Sequence, residues 1–316
     1  MAFLVGGRFG PARVLALDAR GRTLAYGRGK DGVRALAACP GGRRAVEIVV
    51  GDELPRILRL AVRGLAGMRV LREVSLPFAE RRKPYLVPTA VSCADARASE
   101  VFVFATNNDG GWPVPTSRIL RVRGEKVAVI STGSGSACSF GSGRAFVNEG
   151  RTAQNVVAIN LRTGRERALA RVPRMTGPLV PSPDGTKLAG VGSRAPGGRT
   201  APTSLAVLVD LTTATPRVRT APLGGSLTGE MAWVTDRQVA FLPSGGDEAV
   251  GRVFDPALRE VSRFGAWRTS HSAVRGGTVL GIGWGTLFSA RLPRGPSRVL
   301  GKLPSPEVST IVAVPR

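Results

Sequence analysis

A single histidine, His271, occurs in the 316 residues. That excludes a metal site of the H-E-x-x-H type and makes any Ser-His-Asp triad depend on one side chain. The three cysteines, Cys39, Cys93 and Cys138, cannot all pair and form no C-x-x-C or Cys/His cluster. Neither a disulfide scaffold nor a metal site is therefore expected, and no cofactor. Aromatic residues make up only 5%, a poor supply for stacking on nucleic-acid bases. No run of 18 apolar residues occurs, so no membrane span is expected. The opening MAFLVGGRFG has no basic segment before its short apolar run and does not read as a secretory leader. The compartment stays open, since a chain with its leader removed would begin the same way.

Negative charge is scarce too. The sequence has 22 Asp+Glu against 45 Lys+Arg, a formal net charge of +23, and only five of the basic residues are Lys. A surface of this sign attracts polyanions. Yet the Arg are spread evenly, with no block of five or six like charges. The expectation is salt-sensitive, sequence-independent polyanion contact at best.

What the chain has in abundance is 41 Gly and 23 Pro. Breakers at that density make long helices improbable and short strands joined by turns the natural element. VPSPDGTKLAG, residues 180–190, shows the unit. Pro183 pre-sets φ, Asp184 tolerates the next position and Gly185 supplies the positive φ of a tight hairpin, so Ser182 and Asp184 are assigned to the turn. The same plan of strand, Gly/Asp turn and strand recurs around Cys39, Cys93, Cys138, Trp233 and Val274. Counting from Cys39, the anchors fall 54, 45, 44, 51 and 41 residues apart. A second hairpin follows most of these units, as in NVVAINLRTGRERALARV. Four strands per unit of that length is the period of a β-propeller blade.

The ends complete the count. VSTIVAVPR reads as a lone first strand, and AFLVGG, ARVLALDARGR and TLAYGRG as the three strands after it. The sequence predicts an all-β, seven-bladed propeller filling residues 1–316 as one domain, closed by the C-terminal strand joining the N-terminal blade. The blades fall roughly at 308–316 plus 1–30, 31–80, 85–131, 133–172, 176–222, 228–268 and 270–303. Residues 56–74, RILRLAVRGLAGMRVLREV, also suit a basic amphipathic helix, but Gly64 and Gly67 sit where a hairpin should turn, so two strands are preferred.

SPDGTKLA followed by an apolar strand and D-L-T resembles the propeller of TolB-like and WD40-like bacterial repeat proteins. Only Ser182–Ala189 carries the motif closely, and the G-H and W-D dipeptides of WD40 repeats are absent. The resemblance implies a rigid scaffold that binds proteins or small ligands and implies no reaction.

Chemical motifs are few. There is no G-x-S-x-G elbow, no P-loop and no S-x-x-K. TNNDGG offers oxygen ligands through Asn107 and Asp109 but lacks the carboxylates of a calcium loop. The three cysteines occupy one place in three consecutive blades, where packing explains them and strand spacing should keep them from pairing. The second-to-third strand loops, TNNDGGWPVPTS, GSRAPGGRTAPTS and PSGGDEAV, are the long polar connections of one face, and Trp112 is their candidate aromatic anchor.

Three residues before each anchor, the innermost strands read Leu36, Ala90, Gly135, Leu179, Glu230, His271 and Ile311. Glu230 and His271 are the polar pair, on neighbouring blades, and a carboxylate beside an imidazole favours its charged form. Arg268, Thr269 and Ser270 could complete an anion or lactone site. The reading preferred from sequence is a non-catalytic monomeric scaffold binding a protein or other polymer through the long-loop face. The alternative is an enzyme or small-molecule binder at the central channel, like propeller lactonases and lyases, using Glu230 and His271.

Overall fold

The structure is a computed structural model that describes residues 2–9, 12–29, 31–50, 57–79, 86–107, 116–150, 153–194, 203–223, 230–242, 250–265, 271–283, 286–292, 297–303 and 308–314. It is a seven-bladed β-propeller, each blade an antiparallel sheet. Among the described residues the one helical element is a 3-10 turn at Pro40–Gly42.

Two compact units share the blades. The first holds three. Blade 1 orders its strands Val308–Ala313, Phe3–Phe9, Ala12–Leu17 and Thr23–Arg28. Blade 2 runs Gly32–Ala38, Arg44–Val50, Ile57–Gly64 and Arg69–Ala79, and blade 3 runs Val87–Cys93, Glu100–Thr106, Ser117–Arg123 and Lys126–Gly133. The second unit holds blade 4 (Gly135–Gly141, Arg144–Glu149, Gln154–Asn160, Glu166–Val172), whose first strand begins at the boundary. Blade 5 begins with a broken strand, Arg174–Met175 and Val180–Pro181, before Lys187–Arg194, Thr203–Asp210 and Arg217–Pro222. Blade 6 is Glu230–Thr235, Gln238–Leu242, Val250–Phe254 and Glu260–Gly265; blade 7 is His271–Arg275, Thr278–Gly283, Thr286–Arg291 and Ser297–Lys302, of which 286–287 and 300–302 group with the first unit.

The C-terminal strand pairs as expected. Ile311 lies opposite Val5 and Ala313 opposite Phe3, so one blade is built from both ends of the chain. Residues 57–79 are two strands, with Leu65–Met68 as the turn between them.

Second and third strands are apolar on both faces where sheets pack face to face within a unit. Leu4 and Val14 of blade 1 meet Val33 and Leu36 of blade 2. Ile48 and Leu60 then meet Val101 and Leu120 of blade 3. In the second unit Phe146 and Val156 of blade 4 meet Leu188 and Val207 of blade 5. Each such aliphatic side chain contributes about 1.5–3 kcal/mol when fully buried. Outer strands carry the polar residues, as in the exposed Arg217 and Arg219 of blade 5.

Two polar fastenings join blades 5 and 6. Trp233 Nε1 donates to Val180 O at 2.9 Å, and Asp184 N donates to Asp236 Oδ1 at 2.8 Å. The SPDG turn is held from within as well. Ser182 Oγ donates to Asp184 Oδ1 at 2.6 Å and Thr186 Oγ1 donates to Asp184 Oδ2 at 2.8 Å. The Ser182 bond, joined by the Thr186 amide, holds the Asp184 carboxyl down at about 2.

One expectation fails. Cys39 and Cys93 are disulfide-bonded, with Cα atoms 5.2 Å apart, and tie the ends of the first strands of blades 2 and 3. First strands of these blades run side by side, so equivalent positions in consecutive blades come within disulfide reach. Cys138, at the same place in blade 4, is free and fully buried, and burial pushes its thiol pKa well above the usual range.

Candidate functional site

First strands are the edge strands of their sheets, and those of blades 6 and 7 lie beside each other. Glu230 heads one, opposite Leu242 in register. His271 heads the other, opposite Ile282. Leu36, Leu179 and Ile311, at the same level of other blades, are buried, with Leu36 and Leu179 in the cores between sheets. His271 is partly exposed, as is Ala90 at the same level of blade 3. Ser272, which follows it and points to the opposite face of the strand, has a buried Oγ with no hydrogen-bond partner among the described residues. The Glu230 side chain and Arg268, Thr269 and Ser270 lie outside the described residues, as do Asp109 and Trp112.

Asn107 is 2% exposed. Its backbone N–H donates to Thr116 O at 2.9 Å and its Oδ1 accepts the Thr116 N–H at 2.6 Å. These bonds make it the clasp at the base of the loop. Among the described residues no group of three or more His, Cys, Asp or Glu could hold a metal ion.

The most concentrated buried chemistry was not anticipated from sequence. Arg13, Glu47 and Arg63 are 4%, 1% and 1% exposed. Glu47 Oε1 accepts Arg13 Nη2 at 2.9 Å and Arg63 Nη2 at 2.7 Å. Arg13 also donates to Glu73 at 3.0 Å, and Arg59 pairs with Asp31. Arg63 donates to the carbonyls of Met68 and Arg28. Gly27 and Gly29 make the room, since a Cβ on Gly27 would lie 2.8 Å from the Arg63 guanidinium carbon and one on Gly29 2.5 Å from Arg13 Cδ. Burial acts to lower the Arg13 pKa, but Glu47 and Glu73 outweigh it and hold the guanidinium more firmly charged than usual. The network spans blades 1 and 2 and uses almost all its charge internally, which suits a fastening better than a reactive centre. A signal existed in the sequence: single charges of opposite sign inside apolar strands, as in RAVEIVVG and LRLAVRG.

The sequence matches no family model and no curated protein. Solved structures do match. A candidate 6-phosphogluconolactonase from Bacteroides uniformis is 12% identical, with 99% of each chain covered and a TM-score of 0.68. The periplasmic gluconolactonase of Pseudomonas aeruginosa is 16% identical, with 99% of this chain and 98% of that one covered and a TM-score of 0.64. TolB from Acinetobacter baumannii is 14% identical and covers all of this chain but 66% of its own, with a TM-score of 0.52. Propellers bearing lactonase names thus match end to end and at higher scores than TolB, and this overturns the expectation of a non-catalytic scaffold. At such identities the likeness shows the fold, a seven-bladed propeller, and the TolB-like assignment goes no further than that.

Proposed function

We propose that this protein hydrolyses a sugar lactone at the first strands of blades 6 and 7, with His271 as the acid–base group. The observation that carries the reading is the position of the chain's one histidine, partly exposed at the head of its strand and beside the strand that Glu230 heads. The end-to-end likeness to propellers named as lactonases supports it.

The reaction asks little beyond this. The imidazole takes a proton from water as its oxygen bonds to the lactone carbonyl carbon, and a tetrahedral oxyanion forms. On collapse the ring C–O bond breaks and the imidazolium returns the proton to the departing ring oxygen, giving the open hydroxy acid. Glu230 orients the ring and balances the imidazolium, and Arg268 and Ser270 stabilise the oxyanion or a substrate phosphate.

Proton release on adding gluconolactone or 6-phosphogluconolactone tests the proposal against the spontaneous opening rate. Loss of a positioned acid–base group lowers kcat roughly 10²–10⁴-fold, the effect expected of His271→Ala. Glu230→Gln should lower kcat and shift the pH–rate profile. A wild-type rate equal to that of buffer with both lactones would sink the reading.

A further inference from the structure

We infer that the turn end of blades 4 and 5 is a docking surface for anionic phospholipid headgroups. Residues 161–174 contain five Arg and one acidic residue, Glu166. The fold gathers several of them. Arg144 lies opposite Asn160 in register, Asn160 N donates to Arg165 O at 2.9 Å, and the hairpin between them carries Arg162. Arg167, on the outer strand, extends Nη2 to Ala214 O at 3.2 Å in the adjoining turn of blade 5, and Arg217 follows that turn. Arg144, Arg162, Arg165, Arg167 and Arg217 are all exposed.

Several exposed arginines elsewhere lie against carboxylates, as Arg22 does with Asp18, Arg123 with Glu100 and Arg259 with Asp255, at 2.7–2.9 Å. Here the acid opposite Arg217, Asp210, is half-buried and already accepts Thr212 Oγ1 at 2.6 Å and Thr212 N at 3.0 Å. The surface therefore presents five exposed Arg against one exposed acid, Glu166, a local excess of positive charge.

Three observations choose the partner. No aromatic residue stands in 161–174 or 211–219 to stack on bases. No helix is there to enter a groove; the region is strand and turn. The Cys39–Cys93 bond belongs to an oxidising compartment, where membrane surfaces rather than nucleic acids supply phosphate arrays. Each Arg near an anionic membrane adds about fivefold to partitioning, so the five act together without any apolar insertion.

Sedimentation with phosphatidylcholine vesicles, with and without phosphatidylglycerol, tests this at low and high salt. The expected result is binding only to the anionic vesicles, lost in high salt. Changing all five arginines to Gln should abolish it, whereas Gln at the dispersed Arg20, Arg28, Arg34, Arg69 and Arg118, an equal loss of charge, should largely preserve it. Should the fivefold variant fail to fold by circular dichroism, Arg162→Gln/Arg165→Gln, near the exposed turn, carries the same test with about a 25-fold loss. Equal losses in patch and dispersed variants, no wild-type binding to anionic vesicles, or tighter binding to duplex DNA at the same salt would each overturn the assignment.

Discussion

Glu47 shows at the scale of one residue how this chain places charge where water is absent. Its Oε1 accepts from two buried guanidiniums, so its removal leaves both without their shared counter-charge. Breaking such a cluster at one member costs about 3–5 kcal/mol. Glu47→Ala is expected to lose that much in urea unfolding. Replacing Arg13, Glu47 and Arg63 together by Met, Leu and Met should cost little or even stabilise, because the desolvation penalty leaves with the charges. If the single variant proves as stable as the triple, the cluster is not the fastening described.

Carboxylates at turns set the response to acid. Asp184 is held at about 2, chiefly by the Ser182 hydroxyl. Asp210 is lowered first by the Thr212 hydroxyl. In Asp18, Asp95 and Asp255 burial pushes upward, but turn hydrogen bonds outweigh it and the net shift is down. Depressed carboxylates contribute stability that is complete above their unfolded pKa and is lost as pH falls through the folded one. Thermal melting should therefore hold steady down to about pH 4 and weaken from there towards pH 2. Ser182→Ala, which removes the chief cause of the Asp184 depression, should lower stability at neutral pH and make the loss between about pH 4 and pH 2 smaller.

Among the elements, the disulfide joins two blades across 54 residues of sequence. In the loop-closure picture such a cross-link is worth about 4 kcal/mol. Thiol titration of the denatured protein should find one free group before reduction and three after it, and Cys39→Ala/Cys93→Ala should lower Tm by several degrees. Three thiols before reduction would remove the bond and, with it, the compartment argument.

The strands were legible because Gly and Asp turns punctuate them and apolar alternation fills them; VPSPDGTKLAG reads as a hairpin without help. The Cys39–Cys93 bond was not, because the repeat shows that the two positions are equivalent but not how closely the first strands approach. The Arg13–Glu47–Arg63 cluster was hidden for a related reason. Its members are distant in sequence, and Arg scattered over a basic chain looks like solvated surface until packing brings a carboxylate between two of them. His271 was identifiable as the lone histidine, and its partial exposure at the head of its strand was visible only once the sheets were assembled.

Taken as a whole, the molecule depends on its last strand. Ile311 and Ala313 complete the sheet of Val5 and Phe3, which are fully buried. A chain ending at Lys302 should be insoluble or unfolded by circular dichroism, and adding a peptide of residues 303–316 should restore part of the sheet signal. Normal folding without that strand would show the closure to be dispensable. The lactonase reading also belongs to this scale, since it rests on the two neighbouring strands that Glu230 and His271 head rather than on any contiguous motif.

That closing strand also fixes a schedule. Synthesis at about 5–20 residues per second takes roughly 15–60 s for a chain of this length, while a hairpin forms in microseconds. Blades 2 to 7 can each pair their strands as they leave the ribosome; the sheet begun by Phe3–Phe9 must wait for Val308–Ala313. Through most of translation Phe3, Leu4 and Val5 lack one neighbouring strand, an open edge that a holding chaperone or an export machine could grip. Proteolysis of chains stalled short of Val308 should accordingly cut first within Phe3–Arg28, so the blade whose second strand precedes the other six blades is completed after them.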